Sequence, residues 1–236
     1  MRAPIGRRLL MLGSSGAVAG CAAETGTGAL PRVRFNMIST DEQPTLAENE
    51  GIVAGVAIVA TTPTTGLMAY TTRRMAFDYR FGRVDGTAIF SIPVLPTRSS
   101  TVELEENGVW YLITPFAMVA PAGRYNIMEL QRLIDRNNWR WSRQYTPDGY
   151  FDIVSDRVNY IGGLGVLYWR AGSNVSFSSS FLRSDQRRDE PLIRSAFPSI
   201  ASMPMTHQAI AASAGYLPWP IDVAALNETA GQIIRR

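Results

Sequence analysis

From Gly51 onward the chain alternates short apolar runs with turn-forming clusters. Ile52–Ala60 is nearly continuous in apolar residues, the pattern of a strand buried on both faces. Thr62-Pro63-Thr64-Thr65-Gly66 punctuates it. Leu67–Thr72 and Met75–Phe81 follow, the latter alternating Met75, Phe77 and Tyr79 with Ala76, Asp78 and Arg80. Thr87–Val94 reads as a strand, and Thr101–Glu105 alternates Val102 and Leu104 with Glu103 and Glu105. Asn107-Gly108 is a favoured two-residue hairpin turn leading into Val109–Val119. Pro115 lacks an N–H, so that segment should lie at an edge or break there. Pro121-Ala122-Gly123 turns the chain into Tyr125–Leu130, and Asn137-Asn138 turns it into Trp139–Arg143. Thr146-Pro147-Asp148-Gly149 has the residues of a β-turn. Phe151 and Ile153, then Val158–Ile161, Val166–Trp169 and Val175–Phe181 complete the run. In the last of these Val175, Phe177 and Phe181 alternate with serines, as in a half-buried strand.

Turn signals thus recur about every 8–12 residues with strands between them, which predicts a mainly β fold, an antiparallel β-sandwich. The character changes after residue 182. Asp185–Ala196 has Leu192, Ile193 and Ala196 on one helical face. Pro198, Pro204, Pro218 and Pro220 break the next stretch. Asp222 is placed to cap a last helix, Val223–Ile234, whose Val223, Leu226, Ala230 and Ile233 form one stripe. The expected organisation is a β-sandwich over 49–182 and a short helical C-terminal tail, 183–236, packing on it.

The first 48 residues are different again. MRAPIGRR at 1–8 is positively charged, and LLMLGSSGAVAG at 9–20 is a short apolar stretch. Twelve residues fall short of the roughly 20 that span a bilayer. This is the layout of a secretory signal. It ends in Val18-Ala19-Gly20-Cys21, which resembles the lipobox of bacterial lipoproteins. The chemistry suits the pattern: small residues let an extended chain thread into a peptidase, and the thiol of Cys21 is alkylated by a lipid donor. The resemblance implies cleavage before Cys21 and a diacylglyceryl anchor on it, stable because it carries more than one chain. It also implies the outer membrane, facing the periplasm, because residue 22 is Ala rather than Asp. Arg7-Arg8-Leu9-Leu10 carries the paired arginine of a twin-arginine signal, so both export routes stay open. Residues 21–48, rich in Ala, Gly, Thr, Glu and Pro, read as a tether.

The leader changes how charge is read. The 23 basic residues are all Arg, and the sequence pI is about 9.2. Removing residues 1–20 takes Arg2, Arg7 and Arg8 and leaves 20 arginines against 20 acids. The mature chain is near neutral, so no nucleic-acid partner is implied. With one cysteine, Cys21, and one histidine, His207, an internal disulfide is excluded, and so is a site needing two such ligands. No cofactor or metal is expected.

Two segments resemble proteobacterial lipoproteins with a transthyretin-like or carboxypeptidase-regulatory-like β-sandwich. In Val109–Ile127 an apolar strand runs into a turn containing Pro121, Gly123 and Tyr125. In Phe151–Val166 an extended segment leads to Tyr160-Ile161-Gly162. Together they cover about 35 residues, built of turn and core types. The resemblance implies an envelope β-sandwich and brings no activity or catalytic residue.

Candidate chemistry is sparse. His207 is the only imidazole, and no Gly-x-Ser-x-Gly elbow occurs; a surface or helix-start position is its ordinary reading. Glu103, Glu105 and Glu106 read as a solvated strand face and its turn, and Asp148, Asp152 and Asp156 as turn formers rather than oxygen ligands for calcium. Gly162-Gly163-Leu164-Gly165 lacks the Lys-Ser/Thr of a phosphate loop and reads as a bulge or strand kink. Trp139 and Trp141, on one face of a strand with Arg140 between them, are a candidate binding platform. The function expected is a membrane-anchored envelope lipoprotein with a non-catalytic binding or assembly role, its partner an envelope protein or glycan. The alternative is a glycan-binding or glycan-active protein using Trp139, Trp141 and nearby acids.

Overall fold

The computed structural model describes residues 38, 43–62, 75–94, 100–134, 139–144, 149–171, 175–210 and 216–234. It is a β-sandwich with a short helical tail. The strands are β1 (Glu50–Thr61), β2 (Met75–Arg83), β3 (Ile89–Val94), β4 (Val102–Glu106), β5 (Val109–Pro121), β6 (Gly123–Ile134), β7 (Trp139–Gln144), β8 (Tyr150–Ile153), β9 (Val158–Ala171), β10 (Val175–Arg183) and β11 (Met205–His207). The helices are α1 (Gln186–Ala196) and α2 (Val223–Ile234), with a 3-10 turn at Pro198–Ile200. One sheet has the order β10-β9-β1-β5-β4, with β11 on the start of β9; the other has the order β3-β2-β6-β7, with β8 on β6. Among the described strands the chain passes between the sheets four times, β1 to β2, β3 to β4, β5 to β6 and β8 to β9; the passage from β5 to β6 is the turn at Pro121-Ala122-Gly123. Pairing is antiparallel except for β1 with β9 and β11 with β9, which are parallel.

The continuous apolar run of β1 follows from its position. Val53, Ala57 and Val59 face the second sheet, in a core with Tyr79, Phe81, Phe90, Phe116, Tyr125 and Phe151. Ile52, Ala54, Val56 and Ile58 face the other way, against Ile193 of α1, Phe197, Ile200, Ile221 and Leu226 of α2. The first sheet is therefore a middle layer, covered by a sheet on one side and by the C-terminal segment on the other. Ile38 and Leu46 also join this outer layer. Tyr79 reaches across the sandwich and donates to the Gly165 carbonyl at 2.7 Å. Buried Asn159 ties the β8–β9 turn to β1: its Nδ2 donates to the carbonyls of Val154 (2.9 Å) and Ile52 (3.2 Å), and its Oδ1 accepts from Val154 N (3.0 Å).

The local signals resolve in physical terms. Asn107 and Gly108 have φ of 53° and 73°, as a tight hairpin between β4 and β5 requires. Pro115 lies within β5, opposite Val56, rather than breaking it. Ala117 O accepts from Ile38 N at 3.0 Å, so backbone groups of this parity face the β4 side. There β4 has already ended, its Val102 opposite Ile113, so Pro115 needs no ladder donor. The two stretches Val158–Ile161 and Val166–Trp169 are one strand, β9, running through the glycine cluster. Ala54 faces Tyr160 while Val56 faces Gly163, so two residues of β9 stand opposite one of β1, a bulge with Gly162 at φ 99°. Thr87 falls before β3, in a turn where its N–H and hydroxyl both bond Asp85. Asp185 caps α1, accepting from Arg188 N at 3.3 Å, and Asp222 caps α2, accepting from Ala224 N and Ala225 N. Segments 67–72, 137–138 and 146–148 lie outside the described residues.

Gly165 of β9 stands opposite Phe181 of β10, and the Phe181 ring lies where a Cβ at 165 would be. That ring in turn stacks on Trp219 at 5.5 Å between centroids. Gly165→Ala should therefore lower stability by about 1–3 kcal/mol through overpacking. Chemical denaturation checks this, and an unchanged midpoint would show that Phe181 and Trp219 move aside freely.

Candidate functional site

The densest polar cluster lies where β10 gives way to α1, under the first turn of that helix. Arg183 is the last residue of β10 and is only 2% exposed; Asp189 is fully buried one turn into α1. Arg183 Nη2 donates to Asp189 Oδ1. Tyr160, from the neighbouring strand β9, donates its hydroxyl proton to Asp189 Oδ2 at 2.7 Å. The Tyr160 hydroxyl oxygen accepts from the Asp185 backbone N–H at 3.2 Å, so Tyr160 also holds the residue that caps the helix. The guanidinium carbon lies 5.4 Å from the Trp219 ring centre, which gives the buried cation an aromatic face. Its Nε and Nη1 have no hydrogen-bond partner among the described residues.

The electrostatics follow from burial. Desolvation pushes the Asp189 carboxyl up from its ordinary range, and the facing Arg183 and Tyr160 pull it back. Tyr160 is pushed well above the usual phenol value by burial first and then by Asp189. Tyr111 of β5 is pushed up to about 12, by burial first and then by Glu106. Tyr125, far from this cluster, is pushed to about 12 by burial; its hydroxyl donates to the Pro121 carbonyl at 2.9 Å. A buried pair of this kind gives little net stability over an apolar substitute, but removing one partner strands a charge.

On the solvent side of the same junction stand Ser184, Gln186 and His207. His207 lies in β11 rather than at a helix start, and it is exposed. Its Nδ1 is 2.8 Å from Gln186 Oε1 and its Nε2 is 3.2 Å from Ser184 Oγ. Its ring is tilted against Tyr160, with centroids 5.5 Å apart.

The other sequence candidates are dispersed. Trp139 and Trp141 are on β7, an edge strand of the second sheet, opposite Ile134 and Arg132 of β6. The environment of their side chains lies outside the described residues. Glu103 and Glu105 are exposed on β4, and Glu106 pairs with Arg188 of α1 at 2.9 Å. Asp152 makes a two-pronged pair with Arg124, at 2.9 and 3.1 Å, which holds its carboxyl below the usual range. Asp156 takes φ 58° in the turn before β9, and Asp148 lies outside the described residues. Trp110, near the start of β5, and Tyr150, at the start of β8, are large aromatics placed in water, 44% and 47% exposed. Val18, Ala19, Gly20 and Cys21 lie outside the described residues. Among the described residues no three His, Cys, Asp or Glu side chains converge as a metal site, and no helix is long and apolar enough to cross a membrane.

Sequence reasoning passed over Tyr160, Arg183 and Asp189 because they stand 6 to 29 positions apart and belong to three elements. The available signal was Arg183 ending a strand pattern and Asp189 on the apolar side of a predicted helix, two charges at positions expected to be buried.

No protein-family model and no curated protein matches this chain. A leucine-rich repeat protein of known structure from Bacteroides thetaiotaomicron aligns over 52% of this chain and 14% of its own length, at 10% identity and a TM-score of 0.29. A likeness that remote carries no argument about fold or activity.

Asp189→Ala should cost about 3–5 kcal/mol by leaving Arg183 buried and unpaired. Tyr160→Phe should cost about 1–3 kcal/mol. Denaturant unfolding checks both, and equal, small losses would mean that the pair is not buried in solution. Tyr111 and Tyr125 should stay protonated in the native protein until about pH 12, where an ordinary phenol ionises near 10. Their folded values are raised, so the stability they contribute is intact below about pH 10 and is lost as pH climbs through the folded values. Ultraviolet titration of native and unfolded protein checks this: coincident tyrosinate curves would contradict it.

Proposed function

We propose that this chain is an envelope lipoprotein. It is exported, cut before Cys21, lipidated there, and displayed on a membrane as a β-sandwich with a binding or assembly role. The observation that carries the reading is the placement of the chain's one cysteine, directly after Val18-Ala19-Gly20, at the end of a charged and then apolar leader. Two structural features support it. Ile38 and Leu46, from the stretch that precedes β1, pack into the outer layer of the sandwich. The edge strand β4 carries exposed glutamates, which suits a sandwich that stays monomeric at a crowded surface. The outer membrane, periplasmic face is the location this reading favours, with a protein or glycan of the envelope as partner.

Cys21→Ser should move the protein from the membrane pellet to the soluble or precursor fraction on cell fractionation. The wild-type chain purified from membranes should have the mass of residues 21–236 plus lipid. A serine variant still wholly in the pellet, or a lipid-free wild-type mass, would remove the anchor from the proposal.

A further inference from the structure

We propose that the β10–α1 junction is a nucleophilic site. Ser184 is its nucleophile, His207 its general base and Gln186 the residue that orients the imidazole, and its substrate is a short-chain carboxylic ester. This goes beyond the anchoring reading and does not rest on it.

The first argument is a proton inventory. Arg194 Nε donates to Glu190 Oε1 at 2.8 Å, and Gln186 Nε2 donates to Glu190 Oε2 at 3.0 Å. Those two bonds hold Glu190 ionised, its carboxyl below the usual range. A carboxylate only accepts, so the NH₂ end of the Gln186 amide must face Glu190. Its oxygen then faces His207 Nδ1, at 2.8 Å. An amide oxygen also only accepts, so Nδ1 carries the proton. In the neutral imidazole Nε2 is left with its lone pair, directed at Ser184 Oγ 3.2 Å away. That is the tautomer a serine nucleophile requires, fixed by a chain of bonds that starts outside the site.

The second argument is how the fold builds the pair. Ser184 and His207 are 23 residues apart, and both sit on the same flank of β9. β10 pairs with β9 up to Gly163, and β11 pairs with it up to Tyr160. The bulge lies between those two stretches, and a Cβ on Gly162 would come within 2.8 Å of the Arg183 carbonyl. The glycine lets the end of β10 approach closely enough to set Ser184 beside His207. Behind the serine, Arg183, Asp189 and Tyr160 fix the junction from within. The N–H groups of Gln186 and Arg187, in the first turn of α1, have no acceptor within the helix.

The chemistry balances with water as the only co-reactant. Ser184 Oγ attacks the ester carbonyl carbon while His207 Nε2 takes its proton. The bond to the alkoxy oxygen breaks, and His207 returns the proton to the departing alcohol. Water then attacks the acyl-serine by the same route, releasing the acid and restoring the hydroxyl. Both reacting side chains are exposed, which suits a small acyl group presented from outside rather than a long chain needing burial.

The test uses the full chain in detergent, with a fluorophosphonate as covalent probe and p-nitrophenyl acetate as substrate. The expected result is one phosphonyl group on Ser184, located by peptide mass, and none on Ser184→Ala. Ester hydrolysis should fall about 100-fold or more in Ser184→Ala and in His207→Ala, with circular dichroism unchanged because both side chains are exposed. Gln186→Glu can still accept the Nδ1 proton, so it should keep most of the rate and shift the acid limb of kcat/KM upward. Gln186→Leu should lose the rate, an effect on the pH profile and turnover that a purely structural glutamine would not produce. Absence of label on Ser184, or hydrolysis equally fast in Ser184→Ala and wild type, overturns the proposal. Neither outcome bears on the fractionation of Cys21→Ser, so the two readings stand or fall separately.

Discussion

The constraint on which the outer half of this molecule depends is a charge that has nowhere else to go. Arg183 enters the interior at the end of a central-sheet strand, and its guanidinium must be neutralised there. Asp189 supplies the opposite charge, and it does so from a helix. The helix therefore has to begin where it does and lie where it does. Tyr160 makes the arrangement specific by bonding both the carboxylate and the N–H of the capping residue. Apolar burial alone would let α1 slide along the face of the sheet; a buried ion pair with one shared phenol tolerates no such slip.

That fixed helix explains the unusual middle layer. A sandwich normally turns one face of each sheet to water. Here β1 and β9 are buried on both faces, because α1, the Pro198–Ile200 turn, Trp219 and Leu226 cover the side away from the second sheet. Phe181, Trp219 and Tyr111 form an aromatic run over this outer face, with neighbouring centroids 5.5 and 5.6 Å apart. Gly165 makes room for it by having no side chain. The tail is thus a structural layer.

Much of this was legible in the sequence. The alternation in β2 and the continuous run in β1 give strand and burial class, because period and composition are local. Asp222 announces its helix by capping chemistry, again within a few residues, whereas Asp185, read as the first residue of a helix, is the cap one position before it. Asn107-Gly108 fixes a hairpin through backbone conformations few other residues adopt. Pairing is less legible. Nothing local tells β1 to lie parallel to β9, since that contact joins residues about a hundred positions apart and is chosen by global packing. Pro115 shows the same limit: its tolerance inside β5 depends on where β4 stops, and that is a property of another strand. The Arg183, Asp189 and Tyr160 cluster, and the approach of Ser184 to His207, were hidden for this reason. Each needs three elements to be in place before any of its residues looks unusual.

The pinning of Ile38 to Ala117 has a mechanical meaning. Seventeen peptide units separate Cys21 from Ile38, and covalent geometry caps their span at roughly 60 Å. With lipid on Cys21, the point where the chain joins β5 would lie within that distance of the bilayer. The chain would enter the domain beside β5, on the flank that β4 leaves uncovered. The anchor would thus bound how far from the membrane surface a partner of the sandwich could stand.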